Sequence, residues 1–405
     1  MKALYFNVPA HGHISPSLPL VAELVRRGHA VTYFASEGYR SGIEATGATF
    51  QSYTPIGAPI DDDFFSAGNL SGAVPQRVAL ALMTATQASL PALLAFARHE
   101  QPDCVLFDGM CPWGWFVARI LNAPAVTSLS LLPLFKPPPR MLLQPGLLRQ
   151  IASVLLTDFG MGLSADKISR ALSRQYGVAP LGRSEIFNAI GDLAISYTSD
   201  YFQPYASTVP KQVRFIGWSP REDGAETQAD GRPLIYISLG TVNNDDAGFF
   251  RTCIDAFAGG ECSVILSTGK RLSPESFGAL PANVSVRDWV PQISVLKRAA
   301  LFITHGGVNS VHDGLYFGVP LLVVPQQIEQ TLTGMRVAEL GAGVLLDRSR
   351  LSAESIRATA SLLMSEPRYQ TRANRVGDSL RAAGGAPRGA DLIEDFVKGR
   401  VTISG

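Results

Sequence analysis

The chain has 405 residues, with 35 Lys and Arg against 34 Asp and Glu, for a net charge of +1. That balance gives no support to nucleic-acid binding, which needs a basic field, and a 46% hydrophobic fraction supplies two cores for a chain of this length. Four cysteines (Cys104, Cys111, Cys253, Cys262) form no C-x-x-C pair, so reduced, buried thiols in a cytoplasmic protein are expected. No window approaches 18 uncharged apolar residues without proline, and no membrane span is predicted.

Residues 2–8 read as a first strand, followed by the turn Pro9-Ala10-His11-Gly12-His13-Ile14. Ser15 as N-cap and Pro16 at the first helical position are expected to open a helix that Gly28 closes. Strands follow at 30–35 and 49–53, with a polar loop at 54–72 and a helix at 75–99. A strand at 103–107 delivers Asp108 at its carboxyl end, and another runs over 124–128. Residues 129–182 are apolar and broken by prolines, with helix expected at 147–156 and 165–176. Strands at 192–196 and 213–216 complete a first domain, 1–216. A polar, turn-prone linker occupies 217–232. A second strand–helix series over 233–385 opens with a strand at 233–239 that ends on Gly240-Thr241, and an amphipathic helix occupies 386–405. Alternating strands and helices predict two α/β domains, each a parallel sheet with helices on both faces. No G-x-G-x-x-G follows the first strand, so no dinucleotide cofactor is indicated.

The densest chemistry lies between 289 and 330. The apolar strand 300–303 leads into Thr304-His305-Gly306-Gly307-Val308-Asn309-Ser310, and a helix begins near Val308. A strand-to-helix turn with two glycines lets backbone N–H groups approach an anion at the helix's positive end. His305 adds a side-chain donor at the rim, so the turn reads as a phosphate seat without a P-loop lysine. Upstream, Trp289-Val290-Pro291-Gln292 offers an indole face beside an amide, suited to a planar base. Ser310 and Asp313 share a helix face one turn from the seat, where a ribose would lie. Glu329 and Gln330 follow the strand 321–324 and suit a polyhydroxylated sugar. Taken singly, each has a plainer reading: Trp289 as a core aromatic, Ser310 as a helix-start residue, Glu329 and Gln330 as first-turn residues. Their common register at strand ends favours the binding reading.

This segment resembles the donor signature of inverting, nucleotide-sugar-dependent glycosyltransferases of GT-B fold. It is most similar to the bacterial macrolide and antibiotic glycosyltransferases, relatives of plant small-molecule UDP-glycosyltransferases. The resemblance implies two Rossmann-like, doubly wound domains facing across a cleft, with the C-terminal helix returning to the first. Two departures stand out: Asp313 sits where the family has a ribose-binding glutamate, and Val308 where plant members show tryptophan. The diphosphate would be held near Gly307, Asn309 and Ser310, by His305 and by Gly240-Thr241.

His11 and His13 flank Gly12 at the end of the first strand, and neutral histidine is the natural base for deprotonating a hydroxyl. The family's Gly-His-x-x-Pro pattern falls on Gly12-His13-Ile14-Ser15-Pro16, which makes His13 the expected base and Asp108 its carboxylate partner. His11, Met83, Met110, Trp113 and Phe135 are expected in the wall of a pocket for a hydrophobic acceptor, though any one of them fits a core equally well. Asp61-Asp62-Asp63 imitates a metal-binding D-x-D but reads as a solvated loop, so neither metal nor cofactor is expected. The overall expectation is a hexosyltransferase using a nucleoside-diphosphate sugar, UDP-glucose foremost, as a monomer or weak dimer. The alternatives are a nucleotide-sugar isomerase or 2-epimerase of similar architecture, and a non-catalytic nucleotide- or carbohydrate-binding protein.

Overall fold

The structure, a computed structural model, describes residues 1–54, 60–61, 64, 75–133, 159–182, 185–221, 224, 231–240 and 244–399. Thr241, Phe135, Asp62 and Asp63 lie outside the described residues, as does the helix expected at 147–156. The chain divides into two compact units, residues 1–219 with 383–405, and residues 220–382.

The first unit runs β1 (Lys2–Phe6), α1 (His11–Arg26), β2 (Ala30–Ala35), α2 (Arg40–Glu44), β3 (Thr49–Ser52), α3 (Pro75–Glu100) and β4 (Cys104–Asp108). It continues with α4 (Pro112–Leu121), β5 (Ala125–Leu129), α5 (Phe159–Tyr176), β6 (Leu193–Ser196) and β7 (Val213–Phe215). Its seven strands lie in the order β3-β2-β1-β4-β5-β6-β7, and every pair is parallel. Parallel strands covered on both faces read as continuous apolar runs, and Ala3, Leu4, Tyr5 and Phe6 of β1 are all fully buried. Phe6 sits in register with Phe34 on one side and Phe107 on the other, at the centre of the sheet. Each such ring contributes about 1.5–3 kcal/mol of burial. The helix α3 is long and apolar enough to cross a membrane, yet it turns Val78, Leu82, Leu90 and Leu93 into the core and packs against α4 and α5.

The second unit contains β8 (Leu234–Ser238), α6 (Ala247–Phe257), β9 (Ser263–Ser267), β10 (Val284–Arg287), α7 (Gln292–Leu296) and β11 (Ala299–Thr304). After these come α8 (Val308–Tyr316), β12 (Leu321–Val323), α9 (Ile328–Glu339), β13 (Gly343–Leu345), α10 (Ala353–Ser365) and α11 (Pro367–Ala382). Six parallel strands lie in the order β10-β9-β8-β11-β12-β13. In both sheets the winding reverses between the unit's first and fourth strands, β1 with β4 and β8 with β11. Loops leaving such a pair diverge and open a crevice at the carboxyl ends.

The last helix, α12 (Gly385–Val397), belongs to the first unit and packs on α1 and β6. Arg27 on α1's C-terminal side donates to Asp391 at 2.7 Å and to the Pro387 carbonyl at 3.0 Å, while His29 pairs with Glu394 at 3.0 Å. Such partly exposed pairs contribute little each. The tight contact comes from Gly389, whose lack of a side chain lets Leu20 and Ile216 close on the helix.

Two expectations about elements need correction. Helix α1 begins at His11, not after Ser15, because the His13 and Ile14 amides both bond back to the Ala10 carbonyl. Pro16 and Pro19 thus lie inside the helix, and His13 stands in its first turn. Helix α4, with Pro112 at its start and Asn122 in a left-handed conformation after its end, was not anticipated from the sequence.

Candidate active site

In the first unit the switch between β1 and β4 places His13 next to Asp108. Asp108 is the last residue of β4 and is 1% exposed. A buried carboxylate costs several kcal/mol unless donors surround it, and three are in place. The Met110 amide donates to Oδ1 at 2.8 Å, the Ser130 hydroxyl to Oδ2 at 2.6 Å, and His13 Nδ1 lies 3.0 Å from Oδ1. Ser130, just beyond the end of β5, also sits 2.7 Å from His13 Nδ1.

The backbone under His13 is held by a buried polar shelf. Asn7, following β1, donates to the His13 carbonyl at 3.2 Å and to the Tyr33 hydroxyl at 2.7 Å. Tyr33 in turn meets Ser17 of α1 at 2.7 Å, and Ser17 donates to the Ile14 carbonyl. Tyr53 donates to the Asn7 carbonyl at 2.9 Å. Burial pushes the Tyr33 and Tyr53 hydroxyls well above their ordinary pKa, so both remain neutral donors and acceptors. These bonds tie the first turn of α1 to β1 and β2, and with it the backbone that carries the imidazole.

The acceptor-wall residues divide. His11 is exposed at the start of α1 and Met110 is half-buried beside Asp108. Met83 and Trp113 are instead fully buried core side chains, and Trp113 gives its indole N–H to Tyr53 at 3.1 Å. With no surface, neither can meet an acceptor. Their apolar character serves the packing of α3 and α4 against the sheet. Among the described residues no cluster of His, Cys, Asp and Glu is gathered as a metal ion would need.

In the second unit every described candidate follows the carboxyl end of a strand of one sheet. Trp289 comes after β10 and is 60% exposed, whereas its neighbour Val290 is buried. The indole is therefore not a core residue, and the buried neighbour anchors the turn that exposes it. Gln292, first residue of α7, accepts from the Tyr236 hydroxyl at 3.3 Å and donates to Asp313 at 2.7 Å. Its amide is therefore held at both ends, and it orients the Asp313 carboxylate on α8.

His305 follows β11, and its ring is packed between two glycines. A side-chain carbon on Gly240 would lie 2.6 Å from the ring's Cε1, and one on Gly307 would lie 2.5 Å from Nε2. Gly240 also has φ +79°, a conformation that other residues rarely adopt. The imidazole keeps some surface, but this enclosure pulls its pKa down to about 4, offset in part by the Ser238 backbone. It is neutral at pH 7, so it brings hydrogen bonding and not charge to an anion. Gly307 caps α8 without a side-chain hydrogen bond, and Asn309 and Ser310 fall in the helix's first turn. Glu329 is exposed at the start of α9. Gln330 is buried, and its carbonyl oxygen accepts from the Gln326 and Gln327 amides at 2.8 and 3.2 Å. That half of Gln330 closes a capping box with Gln327, and its amide nitrogen is what remains to offer a sugar.

Two participants escaped the sequence reading. Ser130 carries no motif, and only its place beyond the strand next to β4 could have singled it out. Tyr236, in the middle of β8, reads as core until its hydroxyl is seen on Gln292.

Comparison with known proteins identifies the family. Residues 252–397 match the family model described as erythromycin biosynthesis protein CIII-like, C-terminal domain. The chain is 33% identical over 398 residues to the NDP-glycosyltransferase YjiC of Bacillus licheniformis, covering 97% of this chain and 96% of that protein. It is 30% identical over 413 residues to a Bacillus subtilis protein named as an uncharacterized UDP-glucosyltransferase, YojK, covering 98% of each. Among solved structures, the calicheamicin glycosyltransferase CalG4 superposes with a TM-score of 0.82 at 28% identity, covering 99% of this chain and 98% of that one. The two parallel-sheet units and this full-length similarity place the chain in the bacterial macrolide-type glycosyltransferases of GT-B fold.

Proposed function

We propose that this glycosyltransferase moves a hexose, with inversion and without a metal ion, from a nucleoside diphosphate to a hydroxyl of a hydrophobic small molecule. UDP-glucose is the favoured donor. The observation that carries the reading is the His13–Asp108–Ser130 cluster. A buried carboxylate behind a histidine favours the Nδ1–H tautomer and steadies the imidazolium that forms on proton uptake. His13 Nε2 takes the acceptor's hydroxyl proton as its oxygen attacks the anomeric carbon. The bond from that carbon to the diphosphate oxygen breaks, and its electron pair leaves with the diphosphate. Attack from the opposite face inverts the anomeric centre through an oxocarbenium-like transition state.

The second unit supports the donor side of this reading. Trp289 offers the nucleobase an exposed face, and Asp313, held by Gln292, is set to accept from ribose hydroxyls. The α8 N-terminus and neutral His305 supply fixed dipoles to the departing diphosphate. Glu329, exposed at the start of α9, and the amide nitrogen of Gln330 suit the sugar's hydroxyls. The name of the Bacillus subtilis relative supports UDP-glucose, and that of CalG4 supports a natural-product acceptor.

The test is a panel of nucleotide sugars against phenolic and macrolide hydroxyls, read by mass spectrometry and by the product's anomeric coupling in NMR. A β-linked product from an α-linked donor, with nucleotide released only when acceptor is present, is expected. Retention of configuration would overturn the single displacement. Conversion of the nucleotide sugar without an acceptor would favour a 2-epimerase.

A further inference from the structure

Ser130 completes a closed ring of hydrogen bonds. Its oxygen lies 2.6 Å from Asp108 Oδ2 and 2.7 Å from His13 Nδ1, while Nδ1 lies 3.0 Å from Asp108 Oδ1. The serine is 6% exposed and Asp108 1%, so both must satisfy their polar atoms within the protein.

Counting protons leaves one consistent arrangement. The hydroxyl has a single hydrogen. If it went to Nδ1, that nitrogen would carry a lone pair facing Asp108 Oδ1, and Ser130 Oγ would face Oδ2, two acceptor-to-acceptor contacts at 3.0 and 2.6 Å. If it goes to Oδ2, the Nδ1–H is shared between Asp108 Oδ1 and Ser130 Oγ, and every contact pairs a donor with an acceptor. The ring then holds a proton on Nδ1, and in the neutral imidazole this leaves the lone pair on Nε2, which is the tautomer a base needs.

We infer that Ser130 is a positioning residue for the transfer reaction, locking His13 in its Nδ1–H tautomer by accepting from the imidazole while donating to Asp108. The inference rests on the proposed base role of His13. Ser130 touches no reacting atom, and it acts by removing the alternative tautomer and by relieving Asp108 Oδ2 of an unmet hydrogen bond.

The experiment uses the full-length protein with ¹⁵N-labelled histidine, first without substrates. The His13 resonances are identified by their loss in His13→Ala. In the parent protein, Nδ1 should show the shift of a protonated nitrogen and Nε2 that of a bare one. Because Asp108 Oδ1 still faces Nδ1 in the variant, Ser130→Ala should move both only part of the way toward the average of two exchanging tautomers, and lower kcat by up to about tenfold, the scale of one hydrogen bond, with donor KM nearly unchanged. Ser130→Thr keeps the hydroxyl and should restore both readouts. Ser130→Cys keeps the volume with a weak donor and should fall between, which covers a failure of the alanine variant to fold. An alanine variant with parental resonances and kcat would overturn the inference, as would a threonine variant as impaired as alanine. Near-parental turnover in His13→Ala would instead defeat the base assignment, since the tautomer measurement needs no catalysis.

Discussion

Gln292 donates to Asp313 at 2.7 Å, joining the first residue of one helix to the middle of another. Tyr236 holds the other end of the same amide. The carboxylate is thereby presented in one orientation at the carboxyl edge of the second sheet.

Asp313→Ala should raise donor KM by about tenfold or more while leaving kcat within a few-fold, the loss expected for charge-assisted hydrogen bonds to a ribose. Gln292→Ala should act in the same direction but more weakly, and the double variant should be sub-additive because the two residues work as one unit. Steady-state kinetics on purified variants checks this. A fall in kcat with unchanged KM would misplace the ribose.

Trp289 makes a separable prediction. With its indole 60% exposed, Trp289→Ala should leave the unfolding midpoint unchanged within error. It should weaken nucleotide binding by the scale of a base–aromatic stack, about 1–3 kcal/mol. Calorimetric titration with the bare nucleoside diphosphate reads the affinity. Denaturant unfolding reads the stability.

The pH dependence of stability follows from two enclosed histidines of the second unit, His305 and the buried His312. Burial lowers His305 to about 4 and His312 to about 3. Both values lie below the unfolded value of about 6.5, so as pH falls the unfolded chain takes up protons first. The neutral folded forms are fully stabilising above pH 6.5, and that stabilisation is lost progressively as pH falls toward 4. The slope should approach about 1.4 kcal/mol per pH unit for each histidine. Urea unfolding between pH 4.5 and 6.5 should show it, and His312→Gln should reduce the slope even though it lowers overall stability. An unchanged slope would contradict the assignment.

How much of this was legible in the sequence depended on how local the signal was. Apolar runs ending in a glycine turn or a charged residue gave β1, β4, β8 and β11, and so set His13, Asp108, Gly240 and His305 at strand ends. The start of α1 was misread because Ser15-Pro16 imitates a capped helix start, while the true start rests on the bare Ala10 carbonyl, which no residue type announces. Met83 and Trp113 misled because apolar side chains look alike whether they line a pocket or fill a core, and only burial separates them. The capping role of the Gln330 carbonyl oxygen was not legible because it needs the turn geometry of 326–330. Ser130 was invisible for a further reason: it joins Asp108 through strand adjacency, 22 residues away in the chain.

The most direct test of the central claim is the transfer rate of His13→Ala, with one active donor–acceptor pair, beside its affinity for the nucleoside diphosphate. Loss of the base should lower kcat about 10²–10⁴-fold and leave nucleotide affinity unchanged. Turnover near the parental rate would contradict the account.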